Sequence, residues 1–258
     1  MNFNYLILLI AKFFYKLFPI GKTRIFNLII KLSIKNWKYS YYNVKIINQN
    51  FNDLTYRLSL GGGYGDYYSN YLKKLSNKFI FLDFGSNLGI YSLISNRNKS
   101  CKYIYAFDPL PMIKKIILEN FKLNNVRGKF FNIGIYKKDI RKKLYISKNH
   151  SGSSSLIRGS KSQDYIKVQF KNSIFLKKEI SNLKKKKFII KIDVEGVEYD
   201  IIKELKKINI LDNSFSIFLE IRAPNANFKK QKISTLLKKY NIVLKKFVKP
   251  HDYLYEKL

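Results

Sequence analysis

The stretch "KFIFLDFGSNLG", Lys78–Gly89, decides the fold. Its first part is apolar apart from Lys78 and Asp83 and has the length of a buried strand. Gly85 and Gly89 follow, and the apolar "LGIYSLISN" (88–96) predicts a helix. A strand, a glycine turn and a helix in this order predict a βα unit of a parallel sheet.

The same alternation continues along the chain. Further strands are predicted at "KYIYAFD" (102–108), "KFFNIGI" (129–135), "KKFIIKIDV" (186–194) and "SFSIFLEI" (214–221). Such continuous apolar runs indicate strands covered on both faces, hence a doubly wound, mostly parallel α/β sheet. Residues 136–180 interrupt the pattern and predict an insertion hairpin or a loop over the site. "NIVLKKFV" and "DYLYEKL" predict a C-terminal antiparallel edge hairpin.

Charge and cysteine content narrow the classes of partner and compartment. The 258 residues carry a formal charge of +33, which would suit nucleic acid or an anionic membrane. Lysine is accompanied by abundant Asn, Ile, Phe and Tyr throughout, as AT-rich coding would produce, so the charge alone is weak evidence for nucleic acid. The single Cys101 excludes an internal disulfide and favours a reducing, cytoplasmic compartment.

The N-terminal segment, residues 1–50, is predicted to be a helical appendage to a domain spanning 51–258. Its uninterrupted apolar run, Tyr5–Ala11, has seven residues, far fewer than the roughly 18 to 20 that cross a bilayer. Lysines at three- and four-residue intervals and a break at 19–21 predict two amphipathic helices. Residues 1–35 could lie peripherally on an anionic membrane, or pack on the domain or a second subunit; both remain open.

The glycine turn and the next strand predict a nucleoside site. Asn87 interrupts the dinucleotide fingerprint, so the turn does not suit a pyrophosphate. Asp83 suits a ligand that carries a cation, and Asp108, 25 residues later, suits a ribose diol. S-adenosylmethionine fits this description. The alternatives are an ordinary glycine turn and a helix cap at Asp108.

Four segments in order resemble the FkbM family of class I S-adenosylmethionine-dependent methyltransferases: "FLDFGSNLGIYSL", "YAFDPLP", "SGSSSL" and "FIIKIDVEGVEYDIIKEL". The resemblance covers about residues 70–222 and implies a seven-stranded Rossmann-like sheet and O-methylation of hydroxyls on sugars or related metabolites. Two departures are Asp108, where the family commonly has Glu, and "SIFLKKEI" (173–180), where it often has threonine-leucine-aspartate-aspartate. The implied cofactor-binding residues are Asp83, Gly85, Ser86, Asn87, Gly89, Asp108 and Pro109.

The acidic stretch "KIDVEGVEYD" supplies the catalytic candidates. Asp193 ends a predicted strand and is the first candidate for the general base, with Glu195 second. We expect neighbouring carboxylates to raise the pKa of this base. Glu198 suits a capping-box-like arrangement with Glu195 at the helix start, and Asp200 is expected to point away from the site.

Other interpretations stay open. Asp193, Glu195 and Glu220 could together hold Mg²⁺, although the favoured interpretation has no metal. His150 is a further candidate base, or simply an exposed loop histidine. "LGGGYGDYY" (60–68) could cover the cofactor or a sugar, or be a flexible link. An RNA methyltransferase and a non-catalytic membrane-associated protein are the alternative functions, although no aromatic RNA-binding signature is found.

Overall fold

Helices and strands alternate along the computed structural model, which describes residues 3–18, 20–147, 149–156, 164–180, 186–194, 196–222, 226–249 and 251–258. The helices are α1 (Phe3–Leu17), α2 (Lys22–Ile30), α3 (Leu54–Gly61), α4 (Tyr67–Lys74), α5 (Ile90–Asn96), α6 (Lys114–Leu123), α7 (Ser173–Ile180), α8 (Glu198–Lys207) and α9 (Ala226–Lys238). The strands are β1 (Trp37–Tyr39), β2 (Lys45–Ile47), β3 (Phe79–Phe84), β4 (Cys101–Phe107), β5 (Gly128–Phe131), β6 (Gly134–Ile135), β7 (Ile140–Tyr145), β8 (Tyr165–Lys171), β9 (Lys187–Asp193), β10 (Ser214–Glu220), β11 (Ile242–Lys249) and β12 (Asp252–Lys257).

The central sheet has the strand order β11-β12-β10-β9-β3-β4-β5. Strands β10, β9, β3, β4 and β5 pair in parallel, whereas β12 pairs antiparallel with both β10 and β11. This confirms the predicted seven-stranded, mostly parallel Rossmann-like sheet and its C-terminal hairpin. From β3 the chain adds β4 and β5 on one side of this strand, and it later adds β9 on the other side. The resulting crevice lies where ligands bind in such sheets.

Side chains alternate between the two faces of the sheet. On β3, Phe79 and Phe81 join one hydrophobic cluster, and Ile80, Leu82 and Phe84 join the other. The first cluster includes residues of α1, α2, α5 and α6, and the second includes residues of α7, α8 and α9. Because both faces are covered, all six residues of β3 are buried, as its continuous apolar sequence predicts.

The predicted third strand, 129–135, is wrong in its extent. The chain forms β5, turns at Asn132, and then forms β6 in a separate three-stranded sheet with the order β6-β8-β7. Asn132 Nδ2 donates to the carbonyl oxygens of Asp108 and Leu110 at 2.9 and 3.0 Å, which fixes the turn. Gly134 then packs against Phe170, whose ring would lie 2.3 Å from an added Cβ. The apolar run therefore serves two sheets.

The segment 136–180 contains both an insertion hairpin and a loop over the site, which the sequence predicted as alternatives. Strands β7 and β8 form an antiparallel hairpin, from Ile140 opposite Phe170 to Tyr145 opposite Tyr165. Between them, residues 149–156 form a loop that reaches the crevice. The stretch "SIFLKKEI", where the sequence departs from the family, is helix α7.

The N-terminal segment forms the two predicted amphipathic helices, α1 and α2. Their buried residues Leu8, Phe26 and Ile30 belong to the same hydrophobic cluster as Phe79 and Phe81. The N-terminal helices thus share a core with one face of the sheet, while the domain division after residue 50 stays a prediction. A search of the described residues finds no helix of the length and hydrophobicity that crossing a membrane requires.

Candidate active site

A cavity of about 260 Å³ lies at the carboxyl ends of β3, β4, β9 and β10, under the β6-β8-β7 sheet. Both apolar and polar groups line it. The apolar lining includes Leu58, Phe84, Phe107, Leu110, Ile135, Leu144, Leu156, Phe170 and Val197. The polar lining is Thr55, Tyr64, Asn87, Asp108, His150, Ser151, Ser154, Asp193, Glu220 and Arg222. Four of the predicted cofactor residues, Gly85, Asn87, Asp108 and Pro109, line the cavity.

The loop after β3 requires its first glycine. Gly85 has φ of 77°, and an added Cβ would lie 1.8 Å from the carbonyl oxygen of Asp193. Because Gly85 has no side chain, the loop after β3 can pass directly against the backbone at the end of β9. Asn87, with φ of 45°, continues the loop into the cavity. Close approach of backbone to a ligand is the use predicted for this turn.

Asp108 ends β4 and holds the neighbouring loop. Its Oδ2 accepts the backbone N–H of Asn87 at 2.9 Å, and its Oδ1 accepts that of Leu110 at 3.0 Å. Burial raises the pKa of Asp108 to about 6, although these two backbone donors act in the opposite direction. A carboxylate offers about four lone-pair positions, so two remain for a ligand in the cavity. The helix-cap alternative receives only partial support, because Asp108 caps a turn and also faces the cavity.

Three predicted cofactor residues lie behind the cavity surface. Asp83 is 1% exposed, and its Oδ2 accepts the Ser92 hydroxyl at 2.6 Å, which anchors β3 to α5. Burial raises the pKa of the Asp83 carboxyl, whereas Lys191 and Ser92 oppose that shift. Ser86 is buried, and Gly89 is the N-cap of α5 with φ of 81°. The structure thus places these residues as supports of the loop rather than on the cavity wall.

Asp193 lies on the cavity wall, as predicted for the candidate base, with 29% of its side chain exposed. Lys191 Nζ donates to its Oδ2 at 2.8 Å, and this ammonium also lies 5.1 Å from the centre of the Tyr91 ring. Burial alone would lower the pKa of Lys191, but the carboxylates of Asp193 and Asp83 outweigh it and raise the pKa. Sequence reasoning missed Lys191, although a lysine inside an apolar strand, two residues before an acid, was the available signal.

Glu220 is the second acid at this end of the cavity. It stands in register with Asp193 on the adjacent parallel strand and forms an ion pair with Arg222. Burial, reinforced by Asp193, raises the pKa of Glu220 to about 8 despite Arg222. The pKa is thus raised at two acids of the cavity wall, Glu220 and Asp108. Sequence reasoning considered Glu220 only as a metal ligand and overlooked Arg222, because the pairing of strands is not visible in the chain order.

The rest of the acidic stretch agrees only in part with the sequence prediction. Glu198 is buried, its Oε1 accepts the backbone N–H of Gly196 at 2.8 Å, and its Oε2 accepts from Lys229 Nζ at 3.1 Å. Because α8 begins at Glu198 with Val197 as its N-cap, the predicted capping box with Glu195 as the cap is wrong, and Glu198 instead stabilises the turn before the helix. Asp200 lies on α8 and does not line the cavity. Glu195 lies outside the described residues, so its predicted role stays a prediction.

The loop of residues 149–156 is hydrogen-bonded to the start of α3, and we call these hydrogen bonds the clasp. Asp53, the N-cap of α3, accepts the backbone N–H of Thr55 and both the backbone N–H and the hydroxyl of Ser151, at 2.9, 3.2 and 2.8 Å. Gly152 N donates to Thr55 Oγ1 at 2.8 Å. His150 lines the cavity beside this clasp, with Nδ1 bonded to the Ser153 hydroxyl, and burial lowers its pKa.

The stretch "LGGGYGDYY" also reaches the site. Tyr64 lines the cavity, and its ring centre lies 6.0 Å from that of Tyr91. Tyr68 stacks on Phe218 with ring centres 4.0 Å apart, which fixes the segment on the sheet. Tyr64 is therefore part of the cavity wall, whereas the proposed cover over the cofactor or a sugar stays a prediction.

The metal interpretation gains no support from the described residues. No group of three or more His, Cys, Asp or Glu side chains in that part of the chain is arranged to hold a metal ion. Two of the three proposed ligands have cationic partners instead, Asp193 with Lys191 and Glu220 with Arg222.

The fold and cavity define a doubly wound α/β enzyme of the kind that binds a nucleoside cofactor at its strand ends. The chain belongs to the FkbM methyltransferase family: the model described as "Methyltransferase FkbM domain" matches residues 80–252. This confirms the resemblance. The family is one of S-adenosylmethionine-dependent methyltransferases.

Individual relatives are more distant. "Methyltransferase 1" of Beauveria bassiana is 26% identical over 143 residues, which is 48% of this chain and 57% of that protein, so the chain spans only part of its length. The FkbM methyltransferase structure from Methylobacillus flagellatus shares 13% identity and a TM-score of 0.48, covering 74% of this chain and 46% of that one. M. capricolum TrmK, solved with S-adenosyl-homocysteine, shares 14% identity and a TM-score of 0.40, covering 74% and 66%.

The lining of the cavity fits S-adenosylmethionine. Asn87 Oδ1 and Ser154 Oγ are buried polar atoms with no hydrogen-bond partner among the described residues, and both residues line the cavity. Buried polar atoms of this kind are normally paired, so a polar ligand is the natural partner. The spare lone pairs of Asp108 add acceptors suited to a ribose diol. Phe84 and Phe107, stacked with ring centres 4.9 Å apart, supply an apolar floor.

Proposed function

We propose that the protein is an S-adenosylmethionine-dependent O-methyltransferase that acts on a hydroxyl of a saccharide or a related metabolite. The observation that carries this proposal is one cavity with two chemically different ends. Asp108, Gly85 and Asn87 form a cofactor end, and Asp193 and Glu220 form an acidic end. Membership of the FkbM family supports the methyl-transfer part of the proposal.

The cofactor end works by positioning. When bound, S-adenosylmethionine supplies a methyl group activated by a sulfonium. Asp108 accepts hydrogen bonds from the ribose, and Asn87 offers its unpaired Oδ1. Because alignment of the reacting atoms can lower a barrier by about 7 to 11 kcal/mol, the backbone that fixes these groups is central to the rate.

The acidic end suits an acceptor rich in hydroxyls. Tyr64, His150 and Arg222 offer donors around the carboxyl groups of Asp193 and Glu220. Apolar side chains on the same wall suit the C–H face of a sugar ring. A small number of polar groups in an apolar cavity is the usual arrangement for orienting a small ligand.

Asp193 is the residue proposed to take the proton of the attacking hydroxyl. Lys191 holds one of its oxygens at 2.8 Å, which fixes the carboxylate and leaves the other oxygen for the acceptor. Burial raises the pKa of Glu220 to about 8, so this acid can exchange a proton near neutral pH beside the same acceptor. His150 is the alternative base, since its lowered pKa keeps the imidazole neutral at pH 7.

Calorimetry with S-adenosylmethionine tests the cofactor end. The wild type should bind, and Asp108→Ala should weaken binding at least about 100-fold, because two charge-assisted hydrogen bonds are lost. Glu119→Ala is the matched control, since this acid lies on α6 outside the cavity. Its ion pair with Lys115, at 4.0 Å, is long and exposed. Absence of wild-type binding, or equal effects of the two substitutions, would sink the proposal.

Radiolabelled cofactor tests the acceptor. The protein is incubated with S-adenosylmethionine labelled in its methyl group and with separate glycan, small-metabolite and RNA fractions. Label is expected in the glycan or small-metabolite fraction, as an alkali-stable methyl ether. Label in RNA would overturn the saccharide assignment and favour the alternative use of the basic surface.

A further inference from the structure

Helix α1 has apolar side chains on two faces. Ile7, Leu8 and Ala11 are buried in the core shared with the sheet. A second set is 38 to 61% exposed, and its spacing of three and four residues places it in one line along the helix. We call this set the N-terminal stripe: Phe3, Leu6, Ile10, Phe13 and Leu17.

Exposure of large apolar side chains is concentrated at this end of the chain. Of the 22 large hydrophobic residues found exposed in the described part of the chain, 12 fall within residues 3–34. They include Leu28 and Leu32 on and just after α2, which are 64% and 67% exposed. A helix face that meets only water is normally polar. A contiguous apolar face of this kind therefore marks a surface that contacts a partner.

The charge around the N-terminal stripe indicates the partner. Residues 1–52 contain eight lysines and arginines and no aspartate or glutamate. Lys16 lies on α1, Arg24 on α2 and Lys31 at the end of α2, and all three side chains are exposed. An anionic bilayer offers acyl chains for the apolar groups and phosphates for the cations. A second copy of this chain would instead bring like charges together.

We propose that the N-terminal stripe docks the protein on an anionic lipid bilayer. Helix α1 lies in the plane of the interface, with its inner face still packed on the domain and its stripe among the acyl chains near the headgroups. Lys16, Arg24 and Lys31 contact the lipid phosphates. This docking is independent of the proposed methyl transfer.

Vesicle flotation tests the apolar part. The full chain should float with vesicles that contain phosphatidylglycerol and stay behind with pure phosphatidylcholine vesicles. The triple substitution Leu6→Gln, Ile10→Gln and Phe13→Gln should lower the partition coefficient at least about tenfold. The matched control changes three exposed apolar residues elsewhere, Leu118→Gln, Ile174→Gln and Phe228→Gln, and should float like the wild type.

A second triple variant tests the charge. Lys16→Gln, Arg24→Gln and Lys31→Gln should lower partitioning roughly 100-fold, since each basic residue near an anionic surface contributes about fivefold. Its control, Lys138→Gln, Lys206→Gln and Lys238→Gln, removes the same charge from exposed positions elsewhere. The six basic side chains changed in this pair of variants are all exposed. Circular dichroism and thermal unfolding of both variants should therefore match those of the wild type.

Four results would overturn the proposal. One is equal flotation with neutral vesicles, and another is flotation that neither N-terminal variant weakens. The third is a wild-type dimer in light scattering that the Leu6, Ile10 and Phe13 variant dissociates, because the stripe would then be covered by a second copy. Binding of the wild type to RNA instead of vesicles, lost in the charge variant, would likewise contradict it.

Discussion

The two ends of the cavity are built by different means. At the cofactor end, backbone N–H groups of Asn87 and Leu110 donate to the carboxylate of Asp108. At the acidic end, cationic side chains oppose the carboxylates, Lys191 against Asp193 and Arg222 against Glu220. Main-chain donors are fixed by the fold, whereas side-chain ion pairs respond to charge and pH.

This difference assigns a task to each end. A cofactor molecule that must bind in the same pose at every turnover suits a rigid backbone cradle. A hydroxyl that must lose its proton suits a group of acids whose protonation can change near neutral pH, as the pKa of about 8 for Glu220 indicates. The following predictions separate the two ends and are ordered by expected effect.

The largest effect is expected from Asp193→Asn. The amide keeps the size of the side chain but cannot accept the hydroxyl proton, so kcat should fall by about 10² to 10⁴ while cofactor affinity stays within a few-fold of the wild type. Single-turnover methyl transfer together with calorimetry measures both quantities. Asp200→Asn, in the same acidic stretch but off the cavity wall, should leave both unchanged.

Survival of turnover in Asp193→Asn would make this residue structural. A His150→Gln variant then distinguishes the remaining candidates, because loss of turnover there would transfer the role of base to the imidazole. A loss of cofactor affinity in Asp193→Asn would instead show that the two ends of the cavity do not act separately.

Gly85→Ala should give the next largest effect, because Gly85 is the point where the two ends touch. The added methyl would have to displace the Asp193 carbonyl oxygen, 1.8 Å away. The alanine would also have to adopt the residue's φ of 77°, which L side chains rarely do. We expect a loss of about 4 kcal/mol in the free energy of unfolding, measured by urea denaturation, with weakened cofactor binding. Gly21→Ala is the matched control: its φ is 70° with nothing within 4 Å of the new Cβ, so about 1 to 2 kcal/mol should be lost. Equal losses would show that backbone conformation alone, and not contact with β9, explains the glycine.

Much of this arrangement could be predicted from the sequence because it is local along the chain. Strand β3, its glycine turn and the acids that end β4 and β9 are each marked by a few consecutive residues. The carboxyl ends of parallel strands meet at one edge, so the shared location of Asp108 and Asp193 followed directly.

The remainder depends on which strands become neighbours. Glu220 faces Asp193 only because β10 pairs with β9 in register, and Lys191 stands opposite Asp83 only because β9 pairs with β3. The turn at Asn132 depends on carbonyl oxygens more than 20 residues away in the chain, so the run 129–135 was predicted as one strand. Long-range pairing leaves no local signal in a single sequence.

The smallest effect is expected at Asp53, which accepts hydrogen bonds both from the backbone and from a side chain. This single carboxylate caps α3 and holds the backbone and hydroxyl of Ser151, in the loop over the cavity. Asp53→Ala should cost about 1 kcal/mol of stability through the lost cap and should raise the acceptor KM several-fold as the loop loosens. Asp53→Asn, which keeps one carboxamide oxygen as acceptor, should recover part of both.

Asp66→Ala supplies the control for Asp53, because Asp66 occupies the N-cap of α4 without making a side-chain capping bond. Its carboxylate instead accepts the Tyr41 hydroxyl at 3.2 Å, away from the cavity. Hydrogen exchange of the Ser151 and Gly152 amides should accelerate in Asp53→Ala and stay unchanged in Asp66→Ala. An unchanged KM together with accelerated exchange would mean that the clasp orders the loop without shaping the acceptor site, and the acidic end alone would then determine how the acceptor is held.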